Sequence, residues 1–456
     1  MNAYELDRHP SFLKSMQYKP LISSVTFLNT FFSWYKFLQK SNKFSQKQIA
    51  TYQLERIQSI IRQGYNHVPY YKELFDKNKL KPSSIQSLSD IKKIPLLTKN
   101  DIKKNIMQIK ARNYPANAFQ KRSTGGTTGI PLYFYLEKSH WLGIHFAFNR
   151  IYMQQAGYQW SDKIISIAGI NQQAKKHPFF KTIELSSFHT TSKDLDHYIQ
   201  LINRFKPKFI TSFPSALLLL TNHLLQTNKQ INTHLKAIFC HGETLEEWQR
   251  EYFKNTYNCN VFDQYGHREQ CVFATTCTKS NTYHFFPQYG FIEILNKSEK
   301  PVTREGEVGE IIASSLTNYI FPFIRYKTDD LAQYTTKKCS CESTYPIVKK
   351  ILGRTQEYLI NKNNEKIPIT GLYHLLSAQV QNIKECQLYQ DTTGELIIHY
   401  VKDALFTEKN LKQLQRMLLE KLGKDFTLVF QSKELIRRTK HGKYQFIIQK
   451  IPITFT

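Results

Sequence analysis

Between residues 163 and 242 three short apolar runs, KIISIAG (163–169), KFITSF (208–213) and KAIFCHG (236–242), alternate with two longer segments of helical period, LDHYIQLINRF and SALLLLTNHLL. Apolar runs of that length read as buried strands, and buried strands separated by helices predict a parallel sheet. The flanking regions have other patterns. Residues 50–80 carry Leu54, Ile57, Ile60, Ile61 and Tyr65 near a 3.6-residue period, which predicts a helix, and Pro69, Pro82 and Pro95 then punctuate the chain into loops and short helices. GFIEIL, GEIIASSL and PFIRYKTDDLAQY, between 290 and 334, predict a β-rich subdomain with turns at Gly306 and Gly309. After Gly353-Arg354 come the short strands LIIHYV and FTLVFQ and an amphipathic helix near 408–422, which together predict a small α+β unit. A length of 456 residues asks for two or three domains. The predicted fold is α/β: an N-terminal helical extension (1–50), a large domain of mixed sheets flanked by helices with a β-rich subdomain (51–353), and a small α+β C-terminal domain (354–456).

The loop Ser123-Thr124-Gly125-Gly126-Thr127-Thr128-Gly129-Ile130-Pro131 combines little steric bulk with many hydrogen-bond donors. Such a loop can close on polyphosphate through backbone N–H and hydroxyl groups, or it can be a plain turn. It is not a Walker A loop, because Ile130 and Pro131 stand where that motif needs Lys and Ser/Thr. A formal charge of +27, from 63 Lys+Arg against 36 Asp+Glu, suits an anionic partner, but the lysines are spread over the whole chain and read first as a solvated surface. No RRM, zinc-finger or helix-turn-helix signature is present, so nucleic acid is not the expected partner. The start Met1-Asn2-Ala3-Tyr4-Glu5 does not read as a signal peptide, and the longest aliphatic run, Leu217 to Leu225, is broken by Asn222 and His223. The expected location is cytoplasmic. VTFLNTFFSWYKFL (25–38) can rest on a membrane interface or bury against the main domain, and burial is the expectation.

Seven cysteines in such a chain do not predict a disulfide framework. Cys339 and Cys341 form a Cys-x-Cys pair, and Cys277 and His284 are spaced to flank a hairpin. These four can supply the tetrahedral soft and borderline ligands of a zinc ion, or some can be inert buried thiols.

Further motifs follow the loop in order: His241-Gly242-Glu243 at a strand end, Asp263-Gln264-Tyr265-Gly266-His267-Arg268-Glu269, Tyr326-Lys327-Thr328-Asp329-Asp330-Leu331, Gly353-Arg354 and His441-Gly442-Lys443. In this order and spacing the chain resembles the adenylate-forming (ANL) enzymes: the loop is similar to their phosphate motif, 263–269 to YGxTE, 326–331 to YRTGD, and Lys443 to the lysine of their terminal GK motif. The segments NHVPYYKELFDKN…LSDIKKIPLLTKNDIKKN (66–105), PFIRYKTDDLA (322–332) and CSCESTYPIVKKILGR (339–354) resemble the phenylacetate–CoA ligase group and its capsular-polysaccharide (CapK-like) branch. The resemblance runs from about 50 to 450, and in that branch a Cys/His cluster is familiar, which strengthens zinc at Cys277, His284, Cys339 and Cys341.

The resemblance implies ATP-dependent activation of a carboxylic acid to an acyl-adenylate, with pyrophosphate released, followed by acyl transfer to coenzyme A or to the amine of a sugar or amino acid. It implies these roles. Ser123, Thr124, Gly125, Gly126, Thr127, Thr128 and Gly129 hold the β- and γ-phosphates, with Thr124 also assisting the chemistry; Glu269 holds Mg²⁺. Tyr265 stacks on adenine, with Asp263 or the Gly242-Glu243 backbone near its edge; Asp330 accepts from the ribose hydroxyls; Gln264, Gly266 and Arg354 belong to the nucleotide site. Lys443 bridges the substrate carboxylate and the α-phosphate, on a small lid domain hinged near 353–358. Three positions depart from the pattern. Ile130 replaces a frequent Lys. His267-Arg268 replace small and hydroxyl residues, adding cationic or titratable bulk that suits an acid with a polar or anionic group of its own. Asp329 replaces the Gly of YRTGD, in a turn that wanted Gly. Two readings compete with a transferase of polysaccharide assembly, in contact with that machinery or the membrane: a phenylacetate-type acyl-CoA ligase, and a non-catalytic nucleotide- or polyanion-binding protein. Retention of Glu269, Asp330 and Lys443 argues against the latter.

Overall fold

The computed structural model describes residues 19–123, 132–138, 140–170, 172–177, 180–189, 191–354, 358–368, 382–438 and 444–451. They form two compact units, one from residues 19–123, 132–160 and 264–352, the other from 161–263 and 353–451.

In the first unit the aromatic segment forms the helix Lys19–Ser41, which packs along the helix His140–Gln154. Phe27, Phe31 and Trp34 are buried there, and each of the two phenyl rings contributes roughly 1.5–3 kcal/mol by leaving water. The close approach depends on Gly143, where a Cβ would lie 2.8 Å from the Phe27 carbonyl oxygen and 3.0 Å from the Phe31 nitrogen. The helix Gln46–His67 begins at a capping box between Ser45 and Gln48. The single helix expected over 50–80 is two: Pro69 opens the helix Pro69–Lys77, and Val68 is extended at φ −119°, ψ 104°. Proline disfavours helical backbone in the residue before it, which sets the break. Two polar residues lie on the buried face of Gln46–His67. Gln53 Nε2 donates to the carbonyls of Pro287 (3.1 Å) and Gly290 (3.3 Å), and Arg56 Nη2 to that of Leu316 (2.7 Å). They supply donors to backbone carbonyls of segments far away in the chain.

That helix lies beside an antiparallel sheet in which Val308–Ser315 is flanked by Gly290–Leu295 and Tyr326–Gln333. The register slips between Glu310 and Ile312. Gly306 makes the expected turn, at φ 79°; Gly309 lies within the strand instead, its hydrogen side facing Ile294 and Val302 too closely for a side chain. A second antiparallel ribbon joins Gln264–Gly266, Phe273–Thr276, Tyr283–Phe285 and Ile347–Val348.

In the second unit the expected buried strands are Ile164–Ala168, Phe209–Ser212 and Ala237–His241, all parallel, with Thr182–Ser186 added beside Ile164–Ala168 and Ala174–Lys176 antiparallel at the edge. Helices Ser192–Phe205, Pro214–Gln226 and Glu247–Tyr257 bury Leu195, Ile199, Leu217, Leu220 and Phe253 in one core with Ile165, Ile210 and Ile238 of the sheet. The C-terminal segment has its own sheet. Ile383–Gln390 and Glu395–Lys402 pair antiparallel, Thr427–Ser432 and Ile447–Gln449 add in parallel outside them, and Glu408–Leu422 buries Leu414, Met417, Leu418 and Leu422 against Leu388, Leu396 and Ile398.

Candidate active site and metal cluster

In the first unit the strand ending in Tyr265-Gly266 feeds a turn carrying His267, Arg268 and Glu269, and Asp330 projects from Tyr326–Gln333 toward it. Three of these side chains meet. The Tyr265 hydroxyl donates to Asp330 Oδ2 at 2.8 Å, His267 Nε2 lies 3.0 Å from the same oxygen, and Tyr265 and His267 are 2.6 Å apart. An ionised carboxylate only accepts, so His267 carries its proton on Nε2 when it bonds Asp330. His267 Nδ1 is buried with no hydrogen-bond partner among the described residues. Asp330 is held from behind as well: its N–H donates to Thr328 Oγ1 (3.1 Å), which donates to the Ile311 carbonyl (2.7 Å).

Glu269 is buried, and its Oε1 accepts from the Tyr326 hydroxyl at 2.9 Å. Burial, reinforced by the Glu269 charge, pushes the Tyr326 hydroxyl well above its ordinary range, so it stays a donor. Asp329 adopts φ 62°, the left-handed conformation that favours glycine and that Asp tolerates better than most residues. Its surroundings suit a charged side chain: Lys99 Nζ lies 2.7 Å from the carboxylate, and the Asp329 N–H donates to Glu310 Oε1 at 3.1 Å.

The ribbon and the loop before Ile347–Val348 bring Cys277, His284, Cys339 and Cys341 together, one ligand atom from each lying within 4.8 Å of the others. Cys339 and Cys277 sulfurs are 3.6 Å apart, and Cys341 Sγ is 3.8 Å from His284 Nε2. A tetrahedron with zinc–sulfur bonds of about 2.3 Å has edges near ~3.8 Å, so the four donors fit zinc. Against the upward push of burial, hydrogen bonds from Ser280, the Cys341 N–H and His284 hold the Cys339 thiol below its ordinary range. All seven cysteines are free of disulfides, as the sequence predicts.

The second unit holds Gly242, Glu243 and Asp263. Gly242 turns the chain at φ 78° and aims Glu243 at the start of the helix Pro214–Gln226, whose N-cap Phe213 has no side-chain acceptor. Glu243 replaces it, accepting from the Ser215 N–H and Oγ, both at 3.0 Å, and from the Tyr444 N–H at 2.8 Å. Burial raises the Glu243 pKa above the usual carboxylate range, opposed by those hydrogen bonds. Arg438 stacks over the Tyr444 ring at 4.7 Å and pairs with Glu385. Asp263 is buried in its strand.

The sequence-predicted residues are therefore distributed as follows. Tyr265, Asp330 and Glu269, with Gln264 and Gly266, are in the first unit, and Gly242, Glu243 and Asp263 are in the second. Ser123 closes the strand Phe119–Ser123, and the backbone of Arg354 closes Lys350–Arg354. Thr124, Gly125, Gly126, Thr127, Thr128, Gly129 and Lys443 lie outside the described residues. Sequence reasoning passed over Tyr326 as a partner of Glu269, Ser215 and Tyr444 as partners of Glu243, and Arg122 beside Ser123. Only Arg122 carried a signal, a cation abutting the Gly-rich loop.

Residues 359–450 match the family described as the CapK C-terminal domain. The chain is 24% identical over 409 residues to protein CapK of Staphylococcus aureus, covering 85% of this chain and 87% of that one. It is 24% identical over 454 residues to the phenylacetate-coenzyme A ligase of Aromatoleum evansii, covering 91% and 97%. The chain is a homologue of CapK and is similar to the phenylacetate–CoA ligase-like group of the adenylate-forming (ANL) enzymes. Its α/β fold, with a large N-terminal and a small C-terminal domain, is that of a 2-hydroxyisobutyryl-CoA ligase solved in the postadenylation state with R3-HIB-AMP. The two superpose with a TM-score of 0.70 over 90% of each chain at 18% identity. No helix among the described residues is long and apolar enough to cross a membrane.

Proposed function

We propose that this protein activates a carboxylic acid as an acyl-adenylate and then transfers the acyl group, in the assembly of a surface polysaccharide. The observation that carries the reading is the convergence of Tyr265 and His267 on the buried Asp330 carboxylate, with Glu269 buried on the same turn. In the first half-reaction an oxygen of the substrate carboxylate attacks the α-phosphorus of ATP, the bond from that phosphorus to the bridging oxygen breaks, and pyrophosphate leaves. Asp330 accepts from the ribose hydroxyls, Tyr265 packs on adenine, and Glu269 would hold a Mg²⁺ ion, which would offset negative charge on the phosphates. The further roles are those the resemblance to adenylate-forming enzymes implies: the Gly-rich loop and Ser123 for the β- and γ-phosphates, Gly242, Glu243, Asp263, Gln264, Gly266 and Arg354 for the nucleotide, and Lys443 for the charge between the carboxylate and the α-phosphate. Zinc at Cys277, His284, Cys339 and Cys341 would tie the ribbon to the following loop and takes no part in the reaction.

The acceptor in this reading is an amine of a sugar or amino acid, which the CapK relative supports by the pathway its homology suggests. Coenzyme A is the second reading, favoured by the ligases it resembles. Incubation with ATP, Mg²⁺ and a panel of acids, followed by mass spectrometry with coenzyme A or an amino sugar added in turn, tests both. An acyl-adenylate consumed only by the amine supports the first, one consumed only by the thiol supports the second, and no adenylate with any acid rejects the reading.

A further inference from the structure

Arg122 stands on the strand Phe119–Ser123, immediately before the Gly-rich loop, and its guanidinium carbon lies 4.9 Å above the ring of Trp141. Its Nε is buried without a hydrogen-bond partner, and so is the indole Nε1 of Trp141. Among the described residues no carboxylate forms an ion pair with Arg122. A second cation comes from the turn after Tyr265: Arg268 Nη1 donates to the carbonyl of Ser123, the residue next to Arg122, at 3.3 Å. Burial, and then the like charge of Arg122, depress the Arg268 pKa against the opposing pull of the Glu269 carboxylate, and burial depresses that of Arg122. A buried Arg122 Nε and a buried indole N–H with nothing to bond, beside a second guanidinium of like charge, are unfavourable by themselves. A bound oxyanion removes all three penalties at once, because it cancels the repulsion and accepts from both forks and the indole.

We propose that Arg122, Arg268 and the Trp141 indole form a binding site for a carboxylate or phosphate oxyanion of a ligand. The site adjoins the turn that carries Glu269, so the inference rests on the adenylation reading for the origin of the anion, which is either a phosphate of the nucleotide or a carboxylate of the acid. His145, one helical turn after Trp141 on the same face of His140–Gln154, has a ring that burial holds neutral, its pKa lowered to about 4.

The test compares the full-length protein with Arg122→Gln, Arg268→Gln and Trp141→Phe, titrated with inorganic pyrophosphate, with succinate, and with chloride at matched ionic strength. Binding is followed by calorimetry and the unliganded melting temperature by circular dichroism. The unsubstituted protein is expected to bind pyrophosphate or succinate above the chloride background, and each variant to bind that probe about ten- to a hundred-fold more weakly. Relief of the cation–cation repulsion is expected to raise the unliganded melting temperature of each Arg→Gln variant by about 1–3 °C. A merely structural arginine would lower it. Loss confined to pyrophosphate assigns the anion to the nucleotide, and loss confined to succinate assigns it to the acid. No binding by the unsubstituted protein, or unchanged affinity in the variants, overturns the proposal. Trp141→Phe, which keeps the ring and removes one donor, decides the matter if an arginine variant does not fold. Neither probe needs turnover, so a protein silent in adenylation that still shows Arg-dependent binding would keep this site and lose only the adenylation reading.

Discussion

Replacing Asp330 by Asn tests the nucleotide site through two separable quantities. In the unliganded protein the Asp330 carboxylate accepts from Tyr265 at 2.8 Å and His267 at 3.0 Å, in a setting where its side chain is only 8% exposed. A hydrogen bond to a charged acceptor is worth roughly 1.5–3 kcal/mol and a neutral one roughly 0.5–1.5 kcal/mol. Loss of the charge across two such bonds therefore lowers stability by about 2 kcal/mol. The same loss at the ribose weakens ATP binding about tenfold. Denaturant unfolding reads the first quantity and calorimetric ATP titration the second. Deoxygenated nucleotides connect them. ATP lacking a ribose hydroxyl should bind the unsubstituted protein about tenfold more weakly, yet bind Asp330→Asn no more weakly than ATP does, because the partner of that hydroxyl has been weakened in both. A deoxy penalty that persists in full in Asp330→Asn would show that the ribose hydroxyls bond elsewhere and that Asp330 only positions Tyr265 and His267.

Three other outcomes are expected. Protein purified without chelator should carry one zinc per chain; its removal should lower stability by about 4 kcal/mol when free zinc had been a thousandfold above its dissociation constant, and elemental analysis showing no zinc in undamaged protein contradicts the assignment. His145 is held neutral down to about 4 by burial, whereas in the unfolded chain it protonates near ~6.5. The unfolded state thus binds the extra proton first, and stability should fall by up to about 3 kcal/mol as pH drops from ~6.5 to ~4. His145→Gln should flatten that part of the pH–stability curve, and an unaltered slope rejects it. Lys443→Ala should abolish formation of the acyl-adenylate and spare transfer from a preformed one; loss of both steps contradicts a lid that rotates about 353–358.

Much of the fold was legible because strong local signals agreed with the tertiary structure. The runs at 163–169, 208–213 and 236–242 are buried strands, and β-rich character at 290–334 follows from alternating residues such as Ile292, Ile294, Ile311 and Ala313. Gly309 misled because its need is steric closeness to Ile294 and Val302, which sequence cannot distinguish from a need for positive φ. Asp329 shows the converse, a non-glycine residue at φ 62° tolerated where Lys99 and Glu310 converge on it from distant segments. The metal cluster was legible as a set of four ligands because their side-chain chemistry is restrictive. The bonds between Tyr326 and Glu269, or Glu243 and the start of the Pro214–Gln226 helix, were not, because Tyr, Ser and Glu are common and their meeting depends on how strands far apart in the chain are brought together.

Carboxylate-dependent exchange of labelled pyrophosphate into ATP tests the central claim most directly. With Mg²⁺ and a panel of aryl, fatty, hydroxy, amino and dicarboxylic acids, the account predicts exchange that depends on one class of acid and is lost in Lys443→Ala. ATP bound by the protein without exchange for any acid in the panel, under conditions where an authentic acyl-CoA ligase exchanges, would contradict it.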